Sequence, residues 1–245
     1  MAQEYVVVNE DDVIATPGHL SDAEAASLPL VGTTAWRAIN YKSGNNATAG
    51  CNVLVTGIGG GVALTALQFA VARGCRVYVT SSDSSKLERA QTELGAIGGV
   101  DYKAPDWDWQ LGALLPKDRP YLDVVIDGAG GDIVTKTAKL LRPGGMIVQY
   151  GMTAGPKMDW SMAAVLKNVE LRGTTMGSRD EFREMVAFVD EHKIKPVVSK
   201  VIKGLDNLDA IDGLFEDIKY GRQFGKLVIE LDWGHGATEK EESRL

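Results

Sequence analysis

The stretch that most constrains this chain is Val53-Leu54-Val55-Thr56-Gly57-Ile58-Gly59-Gly60-Gly61-Val62-Ala63, which runs directly into the apolar segment Leu64 to Ala72. An aliphatic run suits a buried strand, the glycines leave a loop almost without side chains, and the small residues that follow suit a closely packed helix. That succession predicts the first strand, turn and helix of a nucleotide-binding α/β fold. Without Cβ atoms, the loop at Gly57, Gly60 and Gly61 can turn sharply and bring N–H groups at the positive end of a helix to a pyrophosphate. Val62 stands where a third glycine is common, so the surrounding chain has to decide the reading.

Further β-type runs follow at Arg76 to Thr80, Val100 to Tyr102, Leu122 to Asp127, Met146 to Tyr150 and Glu170 to Thr174. Helical patterns fall between them, at Ser84 to Leu94, Trp107 to Leu115 and Thr135 to Leu141, with Arg142-Pro143-Gly144-Gly145 expected as a turn. Alternation of this kind predicts a mainly parallel sheet covered on both faces. Upstream, Tyr5 to Val8 is a short β-type run, Ser21-Asp22-Ala23-Glu24 is a capping box, and Gly32 to Asn40 has helical spacing. Downstream, the stripe Phe182, Met185, Val186 and Val189 predicts a helix over Glu181 to His192 with its apolar face on the core. A strand at Val197 to Ile202, an amphipathic helix over Asp206 to Lys219 and a last strand at Lys226 to Leu231 complete the pattern, and the charged tail 233–245 is expected to be disordered.

A net charge of −7 with no basic patch argues against nucleic acid or an anionic membrane as partner. The start of the chain lacks the basic and apolar regions of a signal peptide, and no apolar run is long enough to span a membrane, which places the protein in the cytoplasm. Cys51 and Cys75 each sit where a strand begins and read as buried thiols. His19, His192 and His235 are scattered, so no spacing suggests a metal site.

Several motifs now fall in order: Val53 to Gly57 with Gly60-Gly61-Val62, Val124-Val125-Ile126-Asp127-Gly128, Leu141-Arg142-Pro143-Gly144-Gly145, and Phe224-Gly225-Lys226-Leu227-Val228. Together they resemble the medium-chain dehydrogenase/reductase superfamily, in its quinone oxidoreductase and zinc-binding-dehydrogenase-like branch, from about Val13 to Leu231. In that branch the phosphate loop is one residue longer, which brings Gly57, Gly60, Gly61 and Val62 into place and leaves Ala63 as the deviation. The resemblance implies a Rossmann-type, doubly wound, mainly parallel α/β sheet with remnant segments of a second lobe. Residues 1–40 then correspond to the exit segment of the catalytic lobe, 41–192 to the dinucleotide-binding domain and 193–232 to the returning segment, with most of the catalytic lobe and every zinc-ligand position absent.

The second strand ends in Thr80-Ser81-Ser82 rather than in the acid that holds a ribose diol, and Lys86 follows. The resemblance puts Ser82, Lys86 and Tyr102 at positions that contact the 2′-phosphate of NADP, although Asp83 would repel that phosphate. It puts Gly128, Ala129, Tyr150 and Gly151 along the nicotinamide, with Thr33, Thr34 and Trp36 approaching from the other side. The implied activity is NADPH-dependent reduction of an enone, a quinone or a similar carbonyl compound, without zinc and with no catalytic residue that can be named. Recruitment of the cleft to a cyclisation or isomerisation, or a non-catalytic nucleotide-binding subunit, is the alternative. A homodimer joined through the edge strand 170–174 is the partner the resemblance implies. None of the tyrosines is followed four residues later by lysine, which sets aside a short-chain dehydrogenase.

Overall fold

The computed structural model describes residue 3 and residues 5–231, and the expected disorder of 233–245 lies outside that range. Ser21 caps the first helix, α1 (Asp22–Ser27), through the reciprocal bonds of a capping box with Glu24. Pro29 then opens α2 (Pro29–Trp36), where its fixed φ suits a first turn. A π-type turn over Arg37–Lys42 and a short 3-10 turn over Gly44–Asn46 lead to β1 (Asn52–Val55).

From there strand and helix alternate: α3 (Gly61–Ala72), β2 (Arg76–Ser81), α4 (Ser84–Thr92), β3 (Gly98–Asp101), α5 (Trp107–Leu114) and β4 (Leu122–Asp127). The second half repeats the plan with α6 (Ile133–Thr137), β5 (Leu141–Gln149), α7 (Met162–Leu166), β6 (Glu170–Gly173) and α8 (Arg179–Glu191). These strands form one six-stranded parallel sheet in the order β3-β2-β1-β4-β5-β6. The order reverses direction between β1 and β4, so the crevice in which such sheets bind ligands falls at their carboxyl ends.

Both faces of the sheet are covered, which explains why Val53, Leu54 and Val55 of β1 and Val124, Val125 and Ile126 of β4 are continuous apolar runs rather than alternating ones. One core layer lies between the sheet and α2, α3 and α8, and holds Trp36, Ile39, Leu64, Phe69 and Met185. The other lies against α5, α6 and α7, and holds Tyr78, Trp107, Leu111, Ile133 and Ile147. The chain ends in β7 (Val198–Lys203), α9 (Leu208–Lys219) and β8 (Lys226–Glu230), whose two strands pair in parallel as a separate small sheet that α1 packs against.

Local readings failed where tertiary contacts overrode them. Tyr5 to Val8 forms no strand, and Val7 is fully exposed. Arg142 to Gly145, expected as a turn, lies inside β5, where a register shift opposite Leu122 and Val124 absorbs Pro143 and Gly144. The helix expected over Thr135 to Leu141 sits earlier, at α6. Among the described residues no helix is long and apolar enough to cross a membrane.

Candidate functional site

The glycine loop joins β1 to α3 at the carboxyl edge of the sheet. Gly57 and Gly59 have φ of +65° and +133°, conformations open chiefly to glycine. The loop is anchored on β2: the Gly57 N–H donates to Thr80 Oγ1 at 3.1 Å and the Ile58 N–H to the Thr80 carbonyl at 2.8 Å. Gly60 is the N-cap of α3 and supplies no side-chain hydrogen bond, so the first N–H groups of the helix face the loop uncapped. Gly61 serves close packing, because a Cβ there would lie 2.8 Å from Lys226 Cδ and 2.9 Å from Val31 Cγ1. Val62 is half-buried against the core and Ala63 fully buried within it, so a methyl group at Ala63 is accommodated.

One end of the crevice is a cleft of about 400 Å³ lined by Gly57, Gly60, Ser82, Asp83, Lys86, Tyr102 and Lys103, with Tyr220, Gly221 and Gln223. Ser82, Lys86 and Tyr102 therefore come together as the sequence anticipated, and the Tyr102 hydroxyl donates to Ser82 Oγ at 3.1 Å. Lys86 is only 9% exposed, and its stem lies on Gly59. Its ammonium donates to the Gly221 carbonyl at 2.5 Å, and burial holds its pKa below the usual lysine range. Asp83 serves the local fold, since its carboxylate caps α4 by accepting from the Ser85 hydroxyl at 2.7 Å and the Ser85 N–H at 2.9 Å, which lowers its pKa. Sequence reasoning missed the segment from Tyr220 to Lys226, which reaches this cleft only through the fold. Besides Gly221, it brings the Gly225 N–H to the Gly59 carbonyl at 2.9 Å and Phe224 beneath the Arg89 guanidinium.

The other end is organised around Asp127, at the end of β4 and fully buried. Its carboxylate accepts from the Thr56 hydroxyl, from the N–H of Ala129 at 3.2 Å and Gly130 at 2.7 Å, and from Gln149 Nε2 at 2.6 Å. Gly128 lies under the Tyr150 ring, where a Cβ would come within 2.5 Å of ring carbons. Burial raises the Tyr150 phenol above its ordinary pKa, and the Gln149 amide also donates to the Gly151 carbonyl. Gly128, Ala129, Tyr150 and Gly151 thus form one connected wall.

Trp36 departs from expectation. It packs edge-on against Phe69 at 5.8 Å and beside Phe188 at 4.9 Å, with its N–H donated to Glu184, because its large apolar area is better buried in the core than held at the crevice. The hydroxyls of Thr33 and Thr34 are turned back to the carbonyls of Pro29 and Leu30. Both cysteines are buried and free, and burial pushes the Cys75 thiol up to about 12. Among the described residues, no group of three or more His, Cys, Asp or Glu is placed to hold a metal ion.

Residues 61–191 match the family model for zinc-binding dehydrogenases. The chain belongs to the zinc-binding dehydrogenase family, within the medium-chain dehydrogenase/reductase superfamily. It is 62% identical over 233 residues to the zinc-type alcohol dehydrogenase-like protein YogA of Leptosphaeria maculans, an alignment covering 94% of this chain and 64% of that protein. It is 31% identical over 254 residues to the mitochondrial NAD(P)H oxidoreductase RTN4IP1 of Danio rerio, covering 93% and 62% respectively. A solved structure described as an NAD-dependent alcohol dehydrogenase matches with a TM-score of 0.83 and 33% identity, covering 94% of this chain and 64% of that one. The chain therefore spans somewhat less than two thirds of the length of these relatives.

Proposed function

We propose that the chain binds NADPH along the carboxyl edge of its six-stranded sheet and serves a reductase of enones, quinones or similar carbonyl compounds. What supports this most is the cleft in which a buried Lys86 ammonium stands beside a side-chain-free loop, with Ser82 and Tyr102 on its rim. Its residues suit the nucleotide at most of its groups, with Asp83 the exception on the lining, its carboxylate turned to the cap of α4. The uncapped N–H groups of the first turn of α3, at Gly61 and Val62, with Gly57 leaving space, suit a pyrophosphate. Lys86 has N–H groups beyond the one given to Gly221, and with the Ser82 and Tyr102 hydroxyls these suit a 2′-phosphate. Gly128, Ala129, Tyr150 and Gly151 would line the nicotinamide and keep water from one of its faces.

Bound NADPH would supply the hydride. The chain's own part is to hold the nucleotide in register with a substrate. The NAD(P)H of the Danio rerio relative's name and the NAD of the structural neighbour's make the choice of nucleotide a point to measure. Calorimetric titration of the purified chain with NADPH and NADH tests it. Tight NADPH binding, followed by oxidation when a quinone or enone is added, is the expected result. Binding of neither nucleotide overturns the proposal, and turnover of a substrate without nucleotide would favour a recruited cleft.

The proposal extends to self-association. β6 is one of the two edge strands of the sheet, and Leu171 on it and Met162, Val165 and Leu166 on the adjacent α7 are exposed. A second copy pairing at 170–174 would cover them. Light scattering across a concentration series should return a dimer mass, and a monomer at every concentration would refute this part.

A further inference from the structure

We infer that Asp127 is a positioning residue for the nicotinamide half of the nucleotide site: it sets two loops without touching the nucleotide and leaves the adenosine half alone. The inference rests on the NADPH reading above. Each contact of the carboxylate is with a donor. On its own strand end, the bonds to the Ala129 and Gly130 N–H groups close a side-chain turn that fixes how the chain leaves β4, with Gly130 at φ +72° completing the reversal. On the neighbouring strand end, Gln149 Nε2 donates to Asp127 and to the Gly151 carbonyl, so the carboxylate orients the amide that pins the second loop. The backbone repeats the link, because the Tyr150 N–H donates to the Asp127 carbonyl at 2.9 Å. The Thr56 hydroxyl donates to the carboxylate and accepts from the Gly128 N–H at 3.3 Å, tying β1 into the same unit.

The glycine loop next to Thr56 takes its own anchors elsewhere. Thr56 N–H is held by the Ile126 carbonyl, and Gly57 and Ile58 are held by Thr80 on β2. Tyr102 bonds to Ser82 and Lys86 to Gly221, away from the Asp127 network. Disturbing Asp127 should therefore misalign the nicotinamide wall and spare the adenosine cleft, whereas a purely structural aspartate would weaken both ends together.

The variant that tests this is Asp127→Asn, which keeps shape and replaces one acceptor by a donor facing the donors of Gly130 and Gln149. Affinities are measured by calorimetry for NADPH and for 2′,5′-ADP, a fragment carrying the adenosine, the 2′-phosphate and one phosphate of the pyrophosphate. We expect NADPH to bind about tenfold or more weakly, and the fragment to bind within about twofold of the unsubstituted chain. Equal weakening of both, or no weakening of either, overturns the inference. If Asp127→Asn does not fold, Gln149→Leu removes the amide that bridges Asp127 to Gly151 and leaves the Thr56, Ala129 and Gly130 bonds of the carboxylate in place; it should show the same split with a smaller NADPH loss, and absence of the split there also overturns it. Failure of the unsubstituted chain to bind both ligands would instead overturn the NADPH reading and the inference with it.

Discussion

The two ends of the crevice are held by opposite means. At the inner end, a fully buried carboxylate joins β1, β4 and β5, so the wall is made by half-buried residues that are close in the sheet and tied to a buried centre. At the outer end, Ser82 and Tyr102 are exposed, and the buried Lys86 is tied to Gly221, a residue that arrives from the distant turn between α9 and β8. One part of this site therefore belongs to the sheet, and the other depends on the chain folding back onto it. Substitutions at the inner end should act through packing and cost stability; those at the outer end should act on the ligand and leave the fold intact.

The largest effect is expected at Gly128, where the contrast is easiest to overturn. A valine there places its Cβ against the Tyr150 ring, so either the ring or the loop must move. Overpacking of this kind costs about 1–3 kcal/mol, and the displaced wall should weaken NADPH binding by about a hundredfold. Thermal melting and calorimetry together check it; an unchanged melting point would show that Gly128 is not tightly packed under the Tyr150 ring. Glu181 comes next. It joins α8 to the π-type turn after α2 by accepting from Arg37 Nε at 2.9 Å and from the Ser178 N–H at 2.6 Å. Burial raises the Glu181 pKa, but the Arg37 and Ser178 hydrogen bonds outweigh it and the net shift is downward. A folded pKa below the unfolded value means the contribution is complete above the unfolded carboxylate pKa of about 4.3 and is lost as pH falls through the lower folded value. Glu181→Gln should cost about 2 kcal/mol at neutral pH, and the gap between variant and parent should close on acidification, as measured by urea unfolding at several pH values.

The same contrast governs what the sequence reveals. The sheet, its parallel sense and its crevice follow from Val53 to Val55, Val77 to Thr80 and Val124 to Ile126, because continuous aliphatic runs and glycines act locally. Ser82 and Tyr102 fall just after the ends of β2 and β3 and Lys86 in the first turn of α4, so the family resemblance that singled them out also marks residues that share one cleft. Tyr220 to Gln223 carries no local signal of its place in the cleft, since only the return of the chain brings it there. Asp127 is visible within a motif, but what it does depends on Thr56 and Gln149, which come from other strands. Trp36 shows the converse error: a motif position suggested a ligand contact, and the aromatic core formed with Phe69 and Phe188 took the side chain instead.

Lys86 tests the outer end without disturbing its packing. Lys86→Met keeps a stem of similar length on Gly59 and removes the ammonium, leaving the Gly221 carbonyl to solvent. NADPH should bind about tenfold more weakly, about 1.4 kcal/mol, while NADH should change by less than about twofold. The melting point should stay close to that of the parent chain. An equal loss for both nucleotides would mean that Lys86 supports the phosphate loop and does not read the 2′-phosphate.

The smallest expected effect is the most pointed, because Tyr102 is exposed and its hydroxyl is engaged with Ser82. Hydrogen bonds between neutral groups contribute about 0.5–1.5 kcal/mol, and an exposed pair can be replaced by water, so Tyr102→Phe should leave stability unchanged. Any change in NADPH affinity must then come from the phosphate. If the Tyr102 hydroxyl donates to Ser82 only, NADPH and NADH should respond alike. If the phosphate draws that donor away from Ser82, NADPH alone should weaken, by about threefold, since a hydrogen bond to an anion is stronger than one to a hydroxyl. A loss of that size in NADPH with none in NADH would show that the outer end rearranges around its ligand, whereas the inner end is built before the ligand arrives.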